Sequence, residues 1–179
     1  VNDFGLIYAG LQKNLGPSGM AMVIIRKDLV KDDELPKWVP SMLRYKNYIE
    51  KDNMFNTPPT FAVYMLSLVT DWLKRQGGLK VVEDINNAKS EAIYETLNRS
   101  DFYTSPVQPD SRSKMNVVFR MPNETLEAKF VKEAEAAGMT GLKGHRSVGG
   151  IRASIYNAVP LAGVEKLVDF MNEFERKNR

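Results

Sequence analysis

Lys13 is the side chain whose surroundings in the sequence best suit chemistry, because it lies in a glycine-rich segment between two apolar runs. The runs, residues 5–10 and 20–25, have the length of β-strands, and glycines and a proline punctuate the residues between them. The pattern predicts two strands and a tight connection. An amine held in such a connection can lose solvation, which favours the neutral form that attacks a carbonyl. The residues alone leave two interpretations open, a reactive amine or an ordinary solvated lysine.

Arg152 lies in a run of alternating apolar and polar side chains. The aliphatic residues Ile151, Ala153 and Ile155 have the period of a half-buried strand. Arg152 is therefore expected on the opposite face, and the glycines just before the run allow a close approach of backbone or ligand. A guanidinium fixed on a strand can bind a carboxylate through two parallel hydrogen bonds. The alternative is a surface ion pair with an acidic side chain, typically worth less than about 1 kcal/mol.

His145 and Arg146 follow Gly144 directly. Neighbouring side chains diverge on a strand, but in a glycine-bounded turn both can face one dianionic group. The alternative for His145, the only histidine of the chain, is a partly buried side chain whose hydrogen bonds are satisfied within the protein.

Asn56 and Thr57 precede a predicted helix. Thr57 is expected to be its N-cap, with the two prolines that follow in the first turn. Helix N-termini also favour phosphate electrostatically, so capping and phosphate binding are compatible roles.

Three segments, residues 8–19, 54–61 and 144–158, together resemble the phosphoserine aminotransferase family, whose members are pyridoxal-phosphate enzymes of serine biosynthesis. The segments occur in the family's order, and the resemblance covers essentially the whole chain. It implies a fold-type-I enzyme of the class-V aminotransferases that exchanges an amino group between phosphoserine and a 2-oxo acid. The implied substrates are phosphoserine, 3-phosphohydroxypyruvate, glutamate and 2-oxoglutarate.

The resemblance also implies a role for each candidate residue. Lys13 would form the Schiff base with pyridoxal 5′-phosphate and shuttle the proton between the substrate Cα and the cofactor. Asn56 and Thr57 would reach across a homodimer interface to the cofactor phosphate of the other subunit. The substrate would be held by three side chains, with His145 and Arg146 on its phosphate and Arg152 on its α-carboxylate.

Composition narrows the classes of function. Among 179 residues there are 25 basic and 22 acidic side chains, dispersed along the chain, for a formal net charge of +3. This balance does not favour a nucleic-acid partner. Cysteine is absent and histidine occurs once, which excludes disulfides, thiolate catalysis and cysteine- or histidine-rich metal sites. No stretch approaches the apolar length of a membrane span, and we expect a cytoplasmic protein.

Alternating strand and helix patterns predict an α/β protein. Charged residues 26–34 predict a solvated connection, and the proline-punctuated residues 36–48 predict irregular structure. The remaining predicted elements are a helix from residue 57 to the glycine pair 77–78, helices over about 79–97, 124–137 and from 161, and short strands over 101–104 and 115–120. The buried stripe of the second helix is expected to consist of apolar residues: Val82, Ile85, Ala88, Ala92, Ile93 and Leu97.

The glycine pair is the expected domain boundary. Residues 1–76 are interpreted as the C-terminal part of a large pyridoxal-phosphate domain, and residues 77–179 as a small α/β (α+β) C-terminal domain. Only twelve residues precede Lys13, so we expect the chain to lack the upstream part of the cofactor site, to bind the cofactor poorly alone and to be inactive alone.

The other prominent side chains are given structural interpretations. Arg112, Arg120 and the C-terminal basic cluster are expected on solvated faces, and Arg44 is expected either beside an anionic ligand or in an interface ion pair. The aromatic residues of the first domain are expected in core and interface.

Two other functions stay open: a fold-type-I transaminase or lyase with an unphosphorylated substrate, and a non-catalytic truncated module.

Overall fold

The two apolar runs form an antiparallel hairpin, β1 (Leu6–Gly10) and β2 (Ala21–Ile25), as predicted. Leu6 pairs with Ile25 at one end of the ladder, and Gly10 pairs with Ala21 at the other. The computed structural model describes residues 1–179 except for the side chain of Asp33. It divides into two compact units, Val1–Lys74 and Arg75–Arg179.

The first unit continues with short 3₁₀ turns and two helices, α1 (Tyr45–Glu50) and α2 (Thr60–Arg75). The prediction of irregular structure for residues 36–48 is therefore wrong in part, because these residues include a 3₁₀ turn and the start of α1.

Arg44 explains part of this order. Its guanidinium donates to the backbone carbonyls of Asp32 (3.3 Å), Pro36 (3.0 Å) and Val39 (3.1 Å), which folds the proline-punctuated segment around one side chain. Arg44 thus has a structural role that the sequence did not indicate. Asp32 is also buried, so the segment 26–34 is not wholly solvated.

The second unit contains α3 (Gly78–Arg99), β3 (Asn116–Phe119), α4 (Glu124–Ala136), β4 (Ile151–Ser154) and α5 (Leu161–Asn178). β3 and β4 pair antiparallel, with Val118 opposite Arg152. The helices and the buried face of this ladder enclose one aromatic-rich core, in which rings meet edge to face. Its largest aromatic members are Tyr103, Phe119, Phe130 and Phe174.

The ends of α4 follow the sequence signals. The side-chain oxygen of Asn123 accepts a hydrogen bond from the N–H of Leu126 (2.9 Å), which satisfies a free donor of the first turn. Gly138, just beyond the last turn, has φ = +81°, the left-handed conformation that ends many helices. The predicted end of this helix near residue 137 is therefore confirmed.

The predicted strand over residues 101–104 is wrong. Only Thr104 pairs, through reciprocal backbone hydrogen bonds with Arg120 (3.1 and 2.8 Å). Phe102 and Tyr103 instead turn into the core, where the Tyr103 hydroxyl donates to the carbonyl of Met171 (2.8 Å).

Across the described residues, no helix is both long and apolar enough to cross a membrane.

Arg112 is not simply solvated, in contrast to the prediction. Its guanidinium donates to the side-chain oxygen of Asn98 (3.0 Å) and lies 4.7 Å from the ring centre of Tyr94, in cation–π geometry. The C-terminal basic side chains do lie on an exposed face, where Arg176 and Lys177 pair with Glu173.

Candidate functional site

Lys13 lies in the connection between β1 and β2. Leu11 at the start of this connection is buried, and its N–H donates to the carbonyl of Met20 (3.1 Å), so the ladder continues one pair beyond the strands. Lys13 has φ = +80°, which is uncommon for a residue with a Cβ atom and is a form of strain that concentrates at functional sites. Its side chain is exposed, so the desolvation expected from the sequence is not found, since the two strands beside it are themselves mostly exposed.

Asn56 and Thr57 are also exposed, in the same unit as Lys13. The amide nitrogen of Asn56 donates to the carbonyl of Thr57 (3.1 Å). The expected cap at Thr57 is wrong, because α2 begins only at Thr60. Residues before a proline avoid the helical conformation. Thr57 precedes a proline and that proline precedes another, so neither residue favours the start of a helix.

Arg152 lies on β4, and the predicted alternation is confirmed: Ile151 and Ala153 are buried, whereas Arg152 and Ser154 are half-buried on the other face. The Nε atom of Arg152 is buried and has no hydrogen-bond partner among the described residues. The surface ion pair considered from the sequence is wrong, because no carboxylate in the described part of the chain pairs with this guanidinium. A buried donor left unpaired costs free energy, so this side chain is suited to an acceptor from outside the unit, such as a carboxylate.

The loop of residues 144–150 closes immediately before Arg152. At its base the N–H of Gly144 donates to the carbonyl of Gly150 (2.8 Å), and the N–H of Arg152 donates to the carbonyl of Leu142 (2.8 Å). A Cβ atom built on Gly144 would lie 1.9 Å from the carbonyl oxygen of residue 149, so this closure requires glycine. The structure thus brings the loop and Arg152 into one substructure.

His145 and Arg146 stand at the start of this loop, and both are exposed. The carbonyl of His145 accepts from the N–H groups of Val148 (2.9 Å) and Gly149 (2.8 Å), which makes the predicted turn. The ring Nδ1 of His145 lies 2.7 Å from the hydroxyl of Ser147. The alternative of a partly buried histidine is wrong, because this ring is exposed, although its Nδ1 does have a partner within the loop.

Arg120 supports the loop, so this side chain is not simply solvated, in contrast to the prediction. Its Nη1 donates to the carbonyl of Val148 (2.8 Å), and its Nε forms an ion pair with Oε1 of Glu127 (2.9 Å). Glu127 lies on α4 and is buried, and the same oxygen accepts from the N–H of Met121 (3.3 Å). The loop is therefore tied to a buried carboxylate through one guanidinium.

Cavities that hold small ligands typically measure about 300–1,000 Å³, and the cavity beside this loop has about 470 Å³. It is lined by Lys143, His145 and Arg146 on one side and by Glu124 and Glu127 of α4 on the other. The ion pair described above already neutralises Glu127. The remaining charges at this cavity are mainly basic, which suits an anionic ligand.

Lys89 is a buried side chain that the sequence interpretation missed. Its Nζ donates to three backbone carbonyls in the segment after β4: Ile155 (3.1 Å), Tyr156 (2.9 Å) and Val159 (3.1 Å). Burial disfavours the charged ammonium and lowers the pKa of Lys89 below its ordinary value. α3 is therefore fixed to the segment that follows the Arg152 strand.

The sequence did carry a signal for Lys89. The buried face of α3 includes Val82, Asn86, Lys89, Ile93 and Leu97, a run at helical spacing in which two members are polar. The expected stripe used apolar residues only, and two of its members, Ile85 and Ala88, are exposed. Polar residues within a helical stripe therefore pointed to buried hydrogen bonds rather than to a break in the stripe.

The six predicted site residues fall in two groups. Lys13, Asn56 and Thr57 belong to the first unit, whereas His145, Arg146 and Arg152 belong to the second and share one loop-and-strand substructure.

Comparison with known proteins places these groups in context. The sequence profile of class-V aminotransferases matches residues 1–167. Phosphoserine aminotransferase of Syntrophobacter fumaroxidans is 58% identical over 176 residues, which is 98% of this chain and 48% of that protein. The corresponding protein of Neisseria gonorrhoeae is 51% identical over 178 residues, again 48% of its length.

Solved structures give the same result. Phosphoserine aminotransferase from Bacillus circulans subsp. alkalophilus superposes with a TM-score of 0.94 at 52% identity, over 99% of this chain and 49% of that one. A pyridoxal-phosphate-bound phosphoserine aminotransferase from Trichomonas vaginalis gives 0.89 at 36% identity, over 96% of this chain and 48% of that one. The predicted α/β fold is confirmed, and the chain spans about half the length of the relatives it matches.

Proposed function

The chain belongs to the class-V aminotransferase family, and we propose that the protein containing it transfers the amino group of phosphoserine to 2-oxoglutarate, and the reverse. The balanced exchange gives 3-phosphohydroxypyruvate and glutamate. We assign residues 1–76 to the C-terminal part of a large cofactor-binding domain and residues 77–179 to a small C-terminal domain. The proposal includes a cytoplasmic homodimer.

The observation that carries the proposal is the buried, unpartnered Nε of Arg152 beside the loop that presents His145 and Arg146. A guanidinium held on a strand provides two parallel donors for the substrate α-carboxylate. The exposed pair in the loop provides positive charge for the second anionic group of the substrate. Both ends of phosphoserine then have a partner of opposite charge.

The residues of the first unit fit pyridoxal 5′-phosphate. Lys13 presents an exposed amine for covalent attachment to an aldehyde, and the exposed Asn56 and Thr57 lie just before a helix of 16 residues, whose N-terminus favours phosphate. When bound, this cofactor supplies the electron sink that makes the substrate Cα–H acidic. We propose that Asn56 and Thr57 serve the cofactor phosphate of the partner subunit.

The chain's own residues divide the remaining work. Lys13 Nζ accepts the proton from the substrate Cα and returns a proton during the exchange, which requires a neutral amine at that moment. Arg152 holds the substrate by its carboxylate, which restricts the orientations that the substrate can adopt. His145 and Arg146 set the preference for a phosphorylated substrate.

The test compares phosphorylated and unphosphorylated amino acids in the full-length protein that carries this chain. Replacing both loop residues, H145A/R146A, should raise KM for phosphoserine at least about tenfold, because two cationic or hydrogen-bonding partners of the phosphate are lost. The KM for an unphosphorylated amino donor should change little. An equal loss for both substrates would favour a transaminase or lyase with an unphosphorylated substrate.

A non-catalytic module is the remaining alternative, since the chain covers about half of its relatives. We expect the 179-residue chain alone to bind the cofactor poorly and to show no turnover. Transaminase activity of that polypeptide, purified without any other, would contradict this expectation.

A further inference from the structure

We propose that Arg120 is a positioning residue that sets the preference for a phosphorylated substrate by holding the 144–150 loop. This inference rests on the proposed role of His145 and Arg146. Arg120 itself lies outside the set of substrate-binding residues, at the end of β3. Its side chain hydrogen-bonds to the backbone of the loop, at the carbonyl of Val148.

The first support is the close packing of the loop on the Arg120 side chain. Gly149 and Gly150 have φ = +76° and +71°. A Cβ atom built on Gly150 would lie 2.6 Å from Cδ of Arg120, and one built on Gly149 would lie 3.0 Å from Nη1. The two glycines thus let the backbone rest directly on this side chain.

The second support is the forked geometry of the guanidinium. One nitrogen pairs with Glu127 and another donates to Val148, so a single rigid plane fixes the loop relative to α4. The anchor is itself fixed, because the paired oxygen of Glu127 also accepts from Met121. A lysine has one ammonium and cannot reproduce both contacts at these two directions.

The third support is electrostatic. Glu127 lines the same cavity as His145 and Arg146. While Arg120 is present, the charge of this carboxylate is compensated by the ion pair. Without Arg120, the unpaired carboxylate would attract Arg146 and oppose an incoming phosphate in a partly buried setting, where charges interact more strongly than in water.

Three variants of the full-length holoenzyme separate these effects. R120M removes both contacts and exposes the charge of Glu127. R120M/E127Q also removes both contacts, but it leaves no uncompensated negative charge at residue 127. R120K keeps a cation that can pair with Glu127 but lacks the forked guanidinium. For each variant, KM and kcat are measured with phosphoserine and with an unphosphorylated amino donor, and amide hydrogen exchange is followed across residues 144–150.

R120M should raise KM for phosphoserine about tenfold, with a change of less than about twofold in KM for the unphosphorylated donor. R120M/E127Q should recover part of this loss, and R120K should be intermediate. Exchange at Val148 and Gly149, whose N–H groups donate to His145, should accelerate in R120M. A parallel KM loss for both substrates, or unchanged exchange in the loop, would overturn the inference.

The H145A/R146A variant, run in the same assays, distinguishes failure of this inference from failure of the proposed function. If that variant loses the preference for phosphoserine while R120M keeps it, Arg120 has no positioning role and the function stands. If neither variant changes the preference, the phosphate role of the loop is wrong, and the inference falls with it.

Discussion

Lys89 Nζ lies 2.9 Å from the carbonyl oxygen of Tyr156, and this contact joins helix α3 to the segment that follows the Arg152 strand. A second polar contact is parallel to it, from the amide nitrogen of Asn86 to the side-chain oxygen of Asn157 (2.8 Å). Polar contacts between two segments favour one arrangement of them, although Oδ1 of Asn86 is itself buried without a partner among the described residues. The strand that presents the proposed carboxylate-binding arginine is thus held by hydrogen bonds as well as by apolar packing.

Replacing Lys89 should destabilise the protein. K89M keeps the length of the side chain but leaves three buried or partly buried carbonyls without this donor, so we expect a loss of about 2 kcal/mol in the free energy of unfolding. Denaturant titration measures it. Lys80 on the same helix is a matched control, because it is exposed and paired with Asp84, and K80M should leave the free energy of unfolding nearly unchanged. Equal effects of the two variants would contradict the role of Lys89.

Replacing Arg152 should separate activity from stability. R152M removes a buried donor that has no partner among the described residues, so the free energy of unfolding should stay unchanged or rise by up to about 1 kcal/mol. In the full-length enzyme, kcat/KM should fall at least about 100-fold for both amino-acid substrates, because the α-carboxylate loses a bidentate partner. A large loss of stability without a loss of activity would show that this guanidinium is structural.

Adding a methyl group at Gly150 should disturb the loop. G150A places a Cβ atom 2.6 Å from Cδ of Arg120 and 2.9 Å from the carbonyl oxygen of Phe119, at a position with positive φ. We expect a loss of about 2–3 kcal/mol in the free energy of unfolding, from strain and steric overlap together. Gly141 has a similar φ of +76° but open space around it, so G141A should cost only about 1 kcal/mol. Thermal or denaturant unfolding of both variants tests the difference.

Tyr103 should make stability fall at alkaline pH. Burial raises the pKa of this phenol well above its ordinary value, and the nearby carboxylate of Glu175 raises it further. The unfolded chain therefore ionises first as the pH rises past about 10, and the native state loses stability from that pH upwards while the phenol stays protonated in the fold.

The control is Y103F, which lacks the ionisable group. Its free energy of unfolding should fall less between pH 9 and pH 11 than that of the unchanged protein, although its stability at pH 9 should be lower because the hydrogen bond to Met171 is lost. Identical slopes for the two proteins over this range would refute the assignment.

Local periodicity explains what could be predicted from the sequence. The β1–β2 hairpin, the end of α4 at Gly138 and the alternation around Arg152 follow from neighbouring residues, so each was visible without a structure. The start of α2 lies at Thr60 rather than at Thr57, because consecutive prolines exclude the helical conformation at the residues before them even where a capping side chain is present.

Long-range partners explain what could not be predicted. Lys89 and the carbonyl of Ile155 are 66 positions apart, and Arg120 and the carbonyl of Val148 are 28 positions apart. A hydrogen bond to a backbone carbonyl leaves no mark on the identity of the acceptor residue. The helical stripe of α3 can therefore indicate that Lys89 is buried, but not which carbonyls it contacts. The contacts of Arg120 and Lys89 therefore follow only from the fold.

The most direct measurement of the central claim is borohydride reduction of the full-length protein, followed by mass spectrometry of its peptides. The account predicts a pyridoxyl-phosphate increment on the peptide that contains Lys13, and its loss in K13A. A variant at the exposed Lys27, K27A, is the matched control and should keep the increment. An increment on another lysine, or labelling of K13A equal to that of the unchanged protein, would contradict the account.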